Sequence, residues 1–237
     1  MSNLADRDTM VAPIRQPRPP SFDGQALSAI DLYWLPPAES WPEGIKRLDR
    51  QEDLSAAWPE LVALANTRMD FIRTGRLDRT LQRLFADTPP PDLATKPVRL
   101  AVLGSSTVTH LHPALRVGAL RRGIWLKTYE CDYGQYLQEL TDKQSNLHKF
   151  KPTVILFALD AYHVMRGIDA AADQPQANAA VGEIMAHFKE CWRLAREALR
   201  CTVVQQTIMP VFPSFLGNNE HRLPGSRQRV TAVVNAT

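Results

Sequence analysis

Short apolar runs alternate with amphipathic stretches over the second half of the chain. Runs rich in Val, Ile, Leu and aromatic residues predict buried strands at 98–103, 124–129, 153–159 and 202–207. Apolar positions spaced three or four residues apart predict helices at 111–122, 133–140 and 177–200. The residues after Ser226 predict a final helix that Ser226 caps.

Strands that alternate with helices at this spacing indicate βαβ units and a parallel sheet covered by helices on both faces. The predicted fold class is therefore α/β, a three-layer, flavodoxin-like arrangement over residues 96–237. An N-terminal helical subdomain precedes it.

The stretch 44–95 predicts a helical hairpin. Its first helix is expected to begin near Trp58, because Pro59 is tolerated in a first helical turn. Gly75 is expected to end that helix, and a second short helix is expected to run from Leu77 to Phe85.

Proline divides the chain unevenly, since 12 of the 18 prolines lie at or before Pro97. Residues 1–43 are accordingly expected to form a proline-rich arm, partly disordered, because proline removes backbone donors and restricts the residue before it. At the other end, the chain stops at Thr237 inside the predicted final helix.

Composition excludes several classes of protein. The 28 basic and 25 acidic side chains leave a net charge of +3, too small to argue for nucleic acid or an anionic membrane as partner. No apolar run approaches the roughly 18 residues that span a bilayer, and the N-terminus lacks the apolar segment of a secretory signal. Three widely spaced cysteines match neither a disulfide framework nor a metal motif, so we expect a cytoplasmic protein.

Candidate chemistry follows the predicted strands, because ligands of parallel α/β sheets bind beyond the carboxyl ends of the strands. Gly104, Ser105, Ser106 and Thr107 follow the first strand. This turn could cap a helix, bind an anion through backbone amides and hydroxyls, or present a nucleophilic serine. The glycine patterns of dinucleotide and phosphate-binding loops are absent from the sequence, and no cofactor is predicted.

Asp160 comes directly after the third strand, where a carboxylate either caps the next turn or orients a neighbouring group. Gly134, after the second strand, could let backbone donors approach a ligand. His163 and His221 are candidate bases, although surface positions are the simpler interpretation of both. His110 and His112 point apart on a helix, so no metal site is predicted.

Several spaced blocks resemble the N-terminal region of FkbH-like proteins. They are 98–107, 133–136, the segment from Phe150 to Asp160, and 216–218, with 77–79 also fitting. The resemblance covers most of residues 50–237. It implies an SGNH-hydrolase-like α/β domain that precedes a haloacid-dehalogenase (HAD) phosphatase-like domain. Members of the family are associated with moving a glyceryl unit from a phosphoester onto an acyl carrier protein in polyketide or polysaccharide biosynthesis.

The SGNH comparison implies a role for individual residues. Its Gly-Asp-Ser block falls on Gly104, Ser105 and Ser106. Ser106 is therefore the nucleophile candidate, and a serine stands where the block has its aspartate. Its oxyanion glycine falls on Gly134, and its Asn-Asp pair falls on Leu159 and Asp160, which loses the asparagine. The Asp-x-x-His that the family carries near its C-terminus has no counterpart after the fourth predicted strand, so the domain is expected to be truncated at its C-terminus.

The D-x-D-x-T motif of the phosphatase-like domain is also absent from the sequence. We therefore expect a module that assists glyceryl or acyl transfer, with an acyl carrier protein or a phosphoester substrate as its partner, and that is not a complete catalyst. The alternative is a serine esterase or acyltransferase that uses Ser106, with His163 or His221 as its base.

Overall fold

The computed structural model describes residues 34–214 and 216–237, and the predicted alternation of strands and helices after residue 97 is confirmed. The strands are β1 (Val98–Gly104), β2 (Leu126–Glu130), β3 (Val154–Ala158) and β4 (Thr202–Gln205). The α-helices are α1 (Trp41–Asp49), α2 (Leu54–Ala65), α3 (Phe71–Phe85), α4 (His112–Leu120), α5 (Tyr136–Thr141), α6 (Asn146–Phe150), α7 (Ala161–Val164), α8 (Gln174–Leu199) and α9 (Arg227–Ala236). Short 3-10 helices cover Thr109–Leu111 and Gly217–Arg222.

The four strands form one parallel sheet in the order β2-β1-β3-β4. Strand β2 pairs with one edge of β1, and β3 pairs with the opposite edge of β1. The connection therefore reverses direction between β1 and β3, and such a switch point opens a crevice at the carboxyl ends of the two strands. The three-layer α/β prediction is confirmed, and the switch point marks where a site is expected.

Alternate residues of the strands pack into two separate cores. Ala101, Leu103, Ile155 and Phe157 face a core built with α5, α8 and α9. Leu100, Val102 and their neighbours on β3 face the opposite side, where they pack against Leu115 and Ala119 of α4. The two central strands, β1 and β3, are thus covered on both faces, which explains their continuous apolar sequences.

The N-terminal helices α1, α2 and α3 pack on the α4 side of the molecule. Their apolar core includes Val117 and Leu120 of α4 and Trp125 just before β2. A largely buried ion pair adds to this contact, since the Arg116 guanidinium donates to both carboxylate oxygens of Asp78 at 2.6 and 2.7 Å. Arg116 also donates to the Thr128 hydroxyl on β2. One arginine therefore connects α3, α4 and the edge of the sheet.

The predicted bounds of the N-terminal helices were wrong at two points. The first long helix begins at Leu54, not near Trp58, because the Asp53 carboxylate accepts the Ser55 amide and caps it there. Pro59 consequently lies inside α2.

Gly75 does not end a helix but lies within α3. Asp70 caps α3 by accepting the Arg73 amide, and the buried Leu77, Leu81 and Phe85 hold the helix to the core. Burial of these side chains outweighs the cost of about 1 kcal/mol that a mid-helix glycine carries.

Most of the predicted proline-rich arm lies outside the described residues, which begin at residue 34. Its last three residues, 41–43, form the first turn of α1, where Pro42 needs no backbone donor. No helix among the residues that the structure describes is long and apolar enough to cross a membrane.

We predict that Asp78→Ala lowers the free energy of unfolding by about 3 kcal/mol, because it leaves the Arg116 charge buried without its partner. Urea unfolding measures this. Asp87→Ala is the control, since Asp87 pairs with Lys127 at an exposed site and its loss should cost under about 1 kcal/mol. Equal losses in the two variants would contradict the assigned role of Asp78.

Candidate functional site

Gly104 ends β1 in a position too tight for a side chain. A Cβ built on it would lie 2.9 Å from the Ser106 carbonyl oxygen, so the chain turns sharply as it leaves the sheet. The turn directs Ser105 inward, where it is only 3% exposed. Ser106 and Thr107 follow as exposed residues.

Ser105 and Asp160 form a reciprocal pair across the switch point. The Ser105 hydroxyl donates to Asp160 Oδ2 at 2.5 Å and accepts the Asp160 backbone amide at 2.8 Å. Asp160 Oδ1 accepts the His163 amide at 3.0 Å and so begins α7. The pair joins the ends of β1 and β3, and each polar group in it has a partner.

These hydrogen bonds determine the charge state of Asp160. Burial acts to raise the pKa of this carboxyl, but the Ser105 hydroxyl and the amides of His163 and Tyr162 together outweigh burial and lower the pKa. Asp160 is therefore a carboxylate across the physiological range. It accepts hydrogen bonds from the Ser105 hydroxyl and the His163 amide.

The structure joins Asp160 to Ser105 and not to Ser106, the predicted nucleophile. In the part of the chain that the structure describes, the Ser106 side chain makes no hydrogen bond to a histidine or a carboxylate. His221, one candidate base, lies exposed in the 3-10 helix at 217–222. The other candidate, His163, is engaged elsewhere.

The turn after Ser106 donates hydrogen bonds to a glutamate side chain of the neighbouring strand. Glu130, at the end of β2, accepts the Val108 amide at 2.8 Å and the Thr109 hydroxyl at 2.8 Å. His112 Nε2 lies 3.7 Å from the same carboxylate. Two donors that an anion at the predicted Gly104 site could use are therefore occupied by Glu130.

The segment after β2 contains an exposed glycine and a buried cysteine. Gly134 adopts a positive φ of 71° and is exposed, which is the conformation that favours glycine. Nearby Cys131 is buried, and burial raises the pKa of its thiol. Cys131 is therefore held as a protonated thiol and packs as a small apolar group.

The hydroxyl of the buried Tyr136 lies between two histidines, one on α7 and the other on α8. The Tyr136 hydroxyl lies 2.9 Å from His163 Nε2 and 2.8 Å from His187 Nε2. A single hydroxyl hydrogen can be donated to only one ring, so the other ring must donate to the tyrosine oxygen. Burial raises the pKa of Tyr136 to about 12, which keeps the hydroxyl protonated in this relay.

Sequence reasoning missed this cluster. The sequence pattern assigned no functional role to Tyr136 or to His187. The sequence did indicate that His187 faces the core. His187 lies three residues after Ile184, on the same face of α8. Among the described residues, no group of three or more His, Cys, Asp or Glu side chains could hold a metal ion.

An apolar cavity of about 450 Å³ opens beside α7. Tyr162 and Phe212 form one wall, with their rings edge to face at 5.0 Å, and the Arg227 guanidinium lies 4.9 Å from the Phe212 ring centre. Asp169 and Glu220 also line the cavity. It adjoins the Ser105–Asp160 pair through the short helix that carries Tyr162.

The fold is similar to that of a solved structure. The chain is similar to the N-terminal part of the protein BF1531 from Bacteroides fragilis, described as containing a phosphatase domain complexed with Mg, with 14% sequence identity and a TM-score of 0.53. The match covers 71% of this chain and 41% of that chain, so the chain spans less than half the length of its structural neighbour. No family model and no curated protein matches the sequence.

We predict that Ser105→Ala lowers the free energy of unfolding by about 1.5–3 kcal/mol, because it removes both hydrogen bonds to Asp160, one of them to a carboxylate. Ser106→Ala is the matched control and should leave stability within about 0.5 kcal/mol of the parent protein. Chemical denaturation compares the two. A larger loss in Ser106→Ala would show that the wrong serine has been placed in the pair.

A second prediction concerns pH. Burial lowers the pKa of His163 more than the Asp160 charge raises it. As pH falls, the His163 imidazole is therefore protonated in the unfolded chain before it is protonated in the folded protein. The free energy of unfolding should consequently decline as pH drops below about 6.5. His163→Gln should flatten the decline between pH 7.5 and 5.5, whereas His110→Gln, at an exposed position, should not. An unchanged slope in His163→Gln would refute this assignment.

Proposed function

We propose that this chain is an SGNH-like module of an FkbH-like protein. In this proposal it assists glyceryl or acyl transfer to an acyl carrier protein, as a docking and positioning domain and not as a complete catalyst. The observation that carries the proposal is the Ser105–Asp160 pair, in which the polar groups at the switch point satisfy one another.

The fold supports this proposal at a coarse level. The structural neighbour is described as an N-terminal part that contains a phosphatase domain, and it extends well beyond the matched portion. A phosphatase-type domain combined with further structure is what the FkbH-like resemblance predicts. On the basis of the same likeness, we propose that this chain has a role in a hydrolase or a transferase.

The contacts at the switch point support a non-catalytic role for the module. A serine nucleophile needs a base within hydrogen-bond reach, and that base needs a group to orient it. Here the Asp160 carboxylate binds the neighbouring serine, and the His163 ring binds Tyr136. The groups that a triad would require are thus engaged with other partners.

We further propose a reducing compartment, the cytoplasm, for this protein. Cys131, Cys191 and Cys201 are all buried free thiols. Burial raises the pKa of each, so none is an activated thiolate.

Carrier binding tests the proposed function. The chain is titrated by calorimetry with a panel of purified bacterial acyl carrier proteins in apo and holo forms. We expect saturable 1:1 binding to at least one carrier. Absence of binding to every carrier at 100-fold excess over the chain would overturn the docking role.

Ester turnover tests the alternative, a serine esterase or acyltransferase. With p-nitrophenyl acetate and butyrate we expect rates equal to the buffer blank for the parent protein, Ser106→Ala and Thr107→Ala alike. Thr107 is the matched control because it is the exposed hydroxyl next along the chain. Turnover that Ser106→Ala abolishes and Thr107→Ala retains would establish the esterase instead.

A further inference from the structure

Helix α3 carries a row of arginines along the face that borders α1, where Arg83 also donates to the Leu48 carbonyl at 3.0 Å. Arg73, Arg76, Arg79 and Arg83 are spaced so that they fall within one face of the helix, while Leu77, Leu81 and Phe85 face the interior. The row extends about 15 Å along the axis, from the 1.5 Å rise per residue. We call these four residues the arginine row.

The row is only partly neutralised. Arg76 and Arg83 share one carboxylate, Asp49, at 3.4 and 3.5 Å. Arg73 and Arg76 lie over the Trp41 ring at 5.7 and 5.8 Å, which orients their guanidinium groups without cancelling charge.

The two acidic residues at the start of α3 and within it have other partners. Asp70 caps the first turn of α3 through the Arg73 amide, and the buried Asp78 is paired with Arg116. Within the described part of the chain, Arg79 has no carboxylate partner. The face therefore keeps a local excess of positive charge.

Two exposed apolar side chains lie at the start of the same helix. Phe71 is 76% exposed and Ile72 is 77% exposed. Arginine and aromatic residues are enriched in protein–protein interfaces, where guanidinium groups make directional contacts to carboxylates. Ile72 lies four residues before Arg76 and therefore on the face of the row, with Phe71 next to it at the helix start. Cations beside an apolar side chain fit an acidic amphipathic helix better than they fit the uniform phosphates of a nucleic acid.

We propose that the arginine row, with Phe71 and Ile72, is the docking surface for an acidic helical protein. The partner is the acyl carrier protein of the proposed transfer, and the inference rests on that proposed function. Complementary charge raises the rate of encounter and makes binding sensitive to salt. The apolar pair then supplies contact area that salt does not screen.

Charge reversal tests the surface. The double variant Arg76→Glu/Arg79→Glu and the control Lys143→Glu/Lys189→Glu change net charge equally. The control lysines lie next to α6 and on α8, elements separated from α3 by the sheet, and both are exposed. A bacterial holo-acyl carrier protein that binds the parent chain is titrated into each at 50 and 300 mM NaCl.

We expect the arginine variant to weaken binding at least tenfold at 50 mM NaCl and the lysine control to change it less than twofold. The parent should weaken several-fold at 300 mM, and the arginine variant should weaken less. Arg76→Gln/Arg79→Gln provides a neutral second variant, expected to show an intermediate loss, in case the glutamates disturb the fold near Asp49.

Each outcome decides between the two proposals. Parent binding that neither arginine variant weakens relative to the control would overturn the docking surface and leave the carrier-binding function standing. Failure of the parent to bind any carrier would overturn both. Binding of a 20-base-pair DNA duplex as tight as that of the carrier, lost in the same arginine variants, would assign the row to nucleic acid and also overturn the proposal.

Discussion

The hydrogen bonds between Ser105 and Asp160 join the carboxyl ends of the two central strands at the point where the sheet reverses its winding. Once Ser105 turns inward to meet the carboxylate, Ser106 faces solvent. Asp160 also begins α7, whose His163 reaches Tyr136. The layout of the whole switch-point region therefore depends on this one pair.

The fold could be predicted from the sequence where local pattern and burial agree. Each strand is an apolar run between helical periodicities, and this signal identified all four strands of the described sheet. It misplaced helix ends at Gly75 and Trp58 because capping by Asp53 and Asp70 and burial of Leu77 outweighed local preference. The Ser105–Asp160 pair joins residues 55 positions apart, so only the register of β1 against β3 determines which serine meets the carboxylate.

The sheet separates two surfaces with different chemistry. On the side of α5, α8 and α9, the buried Tyr136 and two half-buried histidines form a hydrogen-bonded cluster at the edge of an apolar core. On the side of α1 to α4, the Asp78–Arg116 pair fixes α3 to the sheet and leaves its arginine row outward. In the proposed function, a carrier protein bound on α3 would be held near the loops after β1 and β2, because Arg116 joins α3 to α4 and to the sheet.

Hydrogen exchange of the intact chain, with and without a saturating holo-acyl carrier protein, tests the positioning role most directly. We expect slower exchange in peptides from 71–85 and from the turn at 104–109, with residues 174–199 of α8 unchanged. Protection confined to α8, or no change anywhere at saturation, would contradict it.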